Sequence, residues 1–86
     1  MANHVQSART IFRLPAVKMS TGLSRSTIYL RIEQGVFPKP VSLGGRAVGW
    51  PAQEVEALNA ARISGKSDAE VRELVTALEA ARKAVK

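Results

Sequence analysis

The chain has 86 residues, enough for one compact domain and too few for two; 45% are apolar, never in the unbroken run of about 18 that a membrane span needs. There is no cysteine, which excludes disulfides and thiolate metal sites and leaves packing to hold the fold. The net charge is +6, and all of the surplus lies up to Trp50, where Arg9, Arg13, Lys18, Arg25, Arg31, Lys39 and Arg46 outweigh Glu33; beyond it cations and anions balance.

Residues 1–11 are polar without an apolar period and read as a loose tail, with Arg9 available to follow a groove. Met1-Ala2-Asn3-His4-Val5-Gln6-Ser7 lacks a charged start followed by an apolar stretch, so a cytoplasmic protein is expected. Phe12-Arg13-Leu14 alternates like a short strand, and Pro15 opens a first helix of about two turns, with Val17 inward and Gly22 as its stop. Ser24 then caps a second helix, its hydroxyl placed for the Thr27 amide. Ile28 and Ile32 supply the apolar period, and Gly35 takes the left-handed position after Gln34. Two helices joined by a short turn containing glycine, with Leu23 there to bury, match a helix-turn-helix, as would any helical hairpin.

Phe37-Pro38-Lys39-Pro40 cannot be helical. Val41-Ser42-Leu43 and Arg46-Ala47-Val48-Gly49-Trp50 alternate on either side of Gly44-Gly45, which predicts a hairpin with a glycine loop at positive φ. In that register Leu43 faces Arg46, Val41 faces Val48 and Lys39 faces Trp50, so one apolar face lies on the helices and Arg46 stands at the tip. Pro51 opens a third helix, with Glu54 and Glu56 near its positive end and Val55 and Leu58 inward. After a break at Ile63-Ser64-Gly65-Lys66, Ser67-Asp68-Ala69-Glu70 forms a capping box for a fourth helix. Its (i, i+4) pairs are Asp68 to Arg72 and Glu79 to Lys83, with Arg82, Lys83 and Lys86 at the negative end. Val71, Leu74, Val75, Leu78, Ala81 and Val85 form a stripe that must be covered, by packing back on the domain or by docking on a second protomer. A domain complete by about Ile63 favours self-association.

The predicted fold is mainly α with a small β-hairpin wing: a winged helix-turn-helix over 12–63, plus an extra C-terminal helix over 64–86 as an oligomerisation element. In such a fold the second helix enters the major groove of DNA. With Ile28 and Ile32 inward, the 100° step per residue assigns Ser26, Tyr29, Leu30 and Glu33 to the outer side, with Arg25 leading. Arg25 is the expected base reader, assisted by Ser26; Lys18, Ser24, Thr27 and Tyr29 are expected phosphate partners. A half-buried packing role is the plain reading of Tyr29. Glu33 beside a phosphate would be unfavourable, so the end of this helix is expected to lift out of the groove. Arg46 is expected to reach the neighbouring minor groove, with Lys39 gripping the backbone beside it. No cofactor or metal is implied. The only histidine, His4, lies in the tail, and no nucleophile-base pair can be assembled, so no enzyme is expected. The rival is a protein-interaction module, an antitoxin or adaptor, docking through the fourth helix; affinity for DNA that falls steeply with salt separates the two.

Leu23-Ser24-Arg25-Ser26-Thr27-Ile28-Tyr29, Gly35-Val36-Phe37-Pro38-Lys39-Pro40 and Gly44-Gly45-Arg46-Ala47-Val48-Gly49-Trp50, in this order and spacing, resemble the AlpA family of phage and mobile-element regulators over 12–63. The resemblance implies a MerR-like winged helix-turn-helix shared with small excisionases, in proteins that activate integrase genes or bind attachment DNA to steer a recombinase toward excision. By position it puts Arg25, Ser26 and Thr27 in the recognition helix, Arg46 in the wing and Trp50 in the core. Leu30 departs from the pattern, where many relatives carry a basic residue, and residues 67–86 lie outside it. The expectation is a sequence-specific binder of double-stranded DNA from a phage or integrative element. It would act as an excisionase or recombination directionality factor, or as a transcriptional regulator of integrase or excision genes. Cooperative binding to repeated sites, self-association on DNA and an integrase or recombinase partner complete it, with no membrane role. Deleting 67–86 is expected to spare single-site binding and abolish cooperativity.

Overall fold

A computed structural model describes residues 9–84; His4, Val85 and Lys86 lie outside the described residues. In chain order the elements are β1 (Ile11–Phe12), α1 (Leu14–Thr21), α2 (Arg25–Glu33), β2 (Val41–Gly44), β3 (Ala47–Pro51), α3 (Ala52–Ile63) and α4 (Asp68–Ala81), followed by a 3-10 turn at Arg82–Ala84. Helix starts and stops follow the local signals. Leu14 is the first residue of α1 rather than the end of a strand, because Pro15 lacks an amide and suits a first turn. Gly22, at φ 74°, closes that helix. The Thr21 hydroxyl donates to Val17 O at 2.7 Å and accepts from Leu23 N at 3.2 Å, which fixes the turn while Leu23 packs against the core. Ser24 Oγ accepts from Thr27 N at 3.2 Å, and Gly35 follows α2 at φ 81°.

The sheet is antiparallel, in the order β1-β3-β2. Ile11 pairs with Pro51 and Phe12 with Trp50, and Thr10 O accepts from Ala52 N at 2.8 Å, so ordered pairing begins inside the stretch read as a loose tail. The hairpin register differs from the expected one: Val41 pairs with Gly49, Ser42 with Val48 and Gly44 with Ala47. Leu43 is the extra residue of a bulge, and the loop is Gly45-Arg46. Gly44 and Gly45 do take positive φ, 103° and 56°, but Gly44 remains in the ladder. The slip moves Val41 to the face opposite Val48, since side chains alternate along a strand.

The new register has a steric reason at Gly49. A β-carbon there would lie 2.5 Å from Ile11 Cγ2, 3.0 Å from Phe12 O and 3.2 Å from Leu43 Cδ1, so β1 and the bulge close over a position that only glycine fills. Gly49→Ala is expected to destabilise the chain by about 1–3 kcal/mol, as overpacking against main chain does. An unchanged thermal midpoint would show that the strands yield at no cost.

One core unites the elements: Val17, Ile28, Val36, Phe37, Trp50, Val55, Leu58 and Ala61 pack with Val71 and Val75 of α4. Trp50 is completely buried. Its ring stands edge-on to Tyr29 and Phe37, at 6.3 and 6.4 Å between centroids, and its Nε1 donates to Pro38 O at 2.9 Å. Val71 and Val75 of the α4 stripe thus pack back on the domain itself, with Leu74 and Leu78 half-buried beside them and Ala81 exposed. The capping box forms: Glu70 N donates to Ser67 Oγ and Ser67 N to Glu70 Oε1, and hydrogen bonding from the Ser67 amide, then from its hydroxyl, holds the Glu70 carboxyl below the usual carboxylate range.

The expected (i, i+4) pairs do not. Asp68 accepts from Arg62 at 3.0 Å, Arg72 donates to Gln34 O at 3.1 Å, and Glu79 accepts from Lys39 N at 2.8 Å. An exposed helical pair contributes only about 0.2–0.5 kcal/mol, so an ion pair to Arg62 and charge-assisted bonds to the main chain at Gln34 and Lys39 displace it. Among the described residues no helix is long and apolar enough to cross a membrane.

Candidate nucleic-acid interface

The α2 N-terminus is built from hydroxyls around one arginine. Ser24, Arg25 and Ser26 are exposed and Thr27 is half-buried. Besides capping the helix, Ser24 Oγ lies 3.0 Å from Thr27 Oγ1 and 3.3 Å from Ser26 Oγ. The first turn of a helix carries partial positive charge and outward-facing amides, so this hydroxyl cluster and Arg25 suit an anionic ligand.

Arg25 is held in place by a stack. Its guanidinium lies 5.3 Å from the centroid of the Tyr29 ring, and Tyr29 is in turn edge-on to Trp50. Tyr29 therefore packs along the core edge, its plain reading, and does not stand on the outer side. Helix geometry gives the reason: measured from the midpoint of Ile28 and Ile32, position 29 falls only about 80° away, whereas 26, 30 and 33 fall about 120–180° away. The outer side is Ser26, Leu30 and Glu33, all exposed, with Leu30 an apolar interruption at 52% exposure. Arg25 leads on the flank turned toward the strand that carries Trp50.

Arg46 is exposed in the loop at the hairpin tip, and Lys18 is exposed on α1. Lys39 is exposed too, but the structure separates it from Arg46. It lies before the start of β2, with its amide bound by Glu79 and its carbonyl by Arg82, roughly 20 Å along an extended strand from the tip. Arg13 is a structural tie, its Nε donating to Val48 O at 2.9 Å and joining the start of α1 to the wing.

Sequence reasoning missed the pair Glu54–Arg82. The Glu54 carboxylate, 6% exposed, accepts from Arg82 Nη2 at 2.6 Å and from Nε at 2.9 Å, and this hydrogen bonding raises the guanidinium above its ordinary pKa. The signal was present on α3: Glu54 shares one face with Leu58 and Ala61, and a carboxylate on an apolar face needs a partner. Among the described residues no cluster of three or more His, Cys, Asp or Glu is placed to hold a metal ion.

A short-turned helix pair with an exposed second-helix start, beside a small antiparallel sheet with a glycine-arginine tip, defines a winged helix-turn-helix. The chain belongs to the family described as Prophage CP4-57 regulatory protein (AlpA), which matches residues 10–63. It is similar to the uncharacterized protein ORF88 of Enterobacteria phage P4, 54% identical over 54 residues, covering 63% of this chain and 61% of the phage protein. It is also similar to the DNA-binding transcriptional activator AlpA of Escherichia coli strain K12, 40% identical over 57 residues, covering 59% of this chain and 81% of that protein. No solved structure matches.

Proposed function

We propose that this chain is a sequence-specific regulator that binds double-stranded DNA in the cytoplasm of a host carrying a phage or integrative element. The observation that carries the reading is the start of α2, where exposed Ser24, Arg25 and Ser26 are backed by the Tyr29–Trp50 stack on a winged helix-turn-helix. Similarity to the DNA-binding transcriptional activator of Escherichia coli and the charge surplus before Trp50 support it. Arg25 reads a base edge with help from Ser26, and Lys18, Ser24, Thr27 and Tyr29 position the helix on phosphates. Arg46 enters the adjacent minor groove, while Lys39 meets the backbone at the wing's base. Biologically, the chain acts as an excisionase or recombination directionality factor, or as a transcriptional regulator of integrase or excision genes. It binds cooperatively to repeated sites with self-association on DNA and contact with an integrase or recombinase. The rival antitoxin or adaptor reading relied on the α4 stripe, whose Val71 and Val75 are spent in the core.

A footprint and salt titration on DNA around the chain's own gene and the nearest attachment site test this. With Lys18 and Lys39 on phosphates, log K should fall with log salt at a slope of about −2 or steeper. Arg25→Ala should weaken binding roughly tenfold or more and relax selectivity at one base pair. Arg46→Ala should weaken it without lowering the thermal midpoint. A folded sample that ignores every duplex at low ionic strength, or an Arg25→Ala variant as tight and selective as the parent, refutes the reading.

A further inference from the structure

The connector at 34–40 joins the end of α2 to the start of β2, so its conformation sets the angle between recognition helix and wing. From inside, it is held by Trp50 Nε1 on Pro38 O. From outside, its polar groups are taken by side chains of α4 and of Arg82, its C-cap: Gln34 O accepts from Arg72 Nε at 3.1 Å, Lys39 N donates to Glu79 Oε2 at 2.8 Å, and Lys39 O accepts from Arg82 Nη2 at 2.7 Å. Positions 72, 79 and 82 fall within an arc of about 80° on a helix and span about 15 Å along it, so one face reaches both ends of the connector. Arg82 is itself fixed by the buried Glu54 carboxylate. These bonds are exposed, so water can replace them at small cost in stability. What water does not replace is direction: a 10° tilt at the base of the wing moves its tip by about 3 Å.

We propose that α4, which lies beyond the family match at 10–63, is a strap that aims the wing, with Arg82 as its principal positioning residue. Arg82 touches no DNA in this arrangement and acts through the Lys39 main chain on the placement of Arg46. The inference rests on the DNA-binding reading above.

A double-mutant cycle on the footprinted duplex tests it, at a temperature where circular dichroism shows every variant folded. Arg82→Gln should weaken binding about tenfold in the parent and in an Arg25→Ala background, and less than about twofold in an Arg46→Ala background, where the wing contact is already lost. Arg82→Lys, which keeps the charge but not the fork, should recover only part of the loss. If Arg82→Gln fails to fold, Glu79→Ala, which frees only the Lys39 amide, takes its place in the cycle with the same expected pattern. Unchanged affinity, or equal losses in all three backgrounds, overturns the strap while leaving the DNA-binding reading intact. A parent chain that binds no duplex overturns that reading, and the strap's wing-aiming role with it.

Discussion

Trp50→Ala should lower the thermal midpoint by more than about 12 °C, because truncating a fully buried aromatic costs about 3–5 kcal/mol and each kcal/mol moves a domain of this size by about 4–8 °C. Three elements lose their common neighbour at once. Tyr29 of α2 and Phe37 of the connector lose an edge-on ring, and Pro38 O loses its indole donor. The β1–β3 pairing at Phe12 and Trp50 loses its inward side chain. Trp50→Phe should recover part of the packing but not the bond to Pro38, and so fall between the two. A loss below about 1 kcal/mol for Trp50→Ala in chemical denaturation would show that the core closes over the gap and that Trp50 is not its centre.

Truncation after Lys66 should be as severe. It removes Val71 and Val75 from the shared core, and burying such a side chain contributes about 1.5–3 kcal/mol. It also strips Arg82 from Glu54. A carboxylate that stays buried without its partner costs about 3–5 kcal/mol, less as loss of α4 opens it to water, and a domain of this size has only about 5–15 kcal/mol in all. The shortened chain should melt at least about 15 °C below the parent, and Glu54→Gln in the truncated background should return part of the loss by neutralising the stranded charge. A truncated chain melting within a few degrees of the parent would mean that α4 packs on a core already complete without it. The sequence pattern anticipated that deletion of 67–86 would spare single-site binding; the structure makes it a test of stability first, and any change in cooperativity must be read on samples shown to be folded.

The helix-turn-helix was largely legible in the chain. Gly22, Ser24, Gly35 and Ser67 each act through bonds to residues three or four positions away, so their neighbours suffice to reveal the turns and caps. The exposed front of α2 followed from the spacing of Ile28 and Ile32, although assigning Tyr29 to it ignored how near the core edge that position falls. The hairpin was legible as a hairpin. Its register was not, because the bulge at Leu43 answers to β1, whose Ile11 lies over Gly49 from nearly forty residues earlier in the chain.

By itself, then, the amino-acid order determined where helices start and stop, that a glycine-tipped ribbon follows the second helix, and that cations gather in the first half of the chain. These rest on bonds between near neighbours and on charge, which composition and spacing carry directly. Only the tertiary structure decided what the α4 stripe packs on, which carboxylate Arg82 meets, and that Glu79 and Arg82 hold the Lys39 main chain. An apolar stripe requires burial but does not name its cover, and a charged side chain reaches whichever partner the fold brings within about 3 Å, here 28 positions away for Glu54 and Arg82.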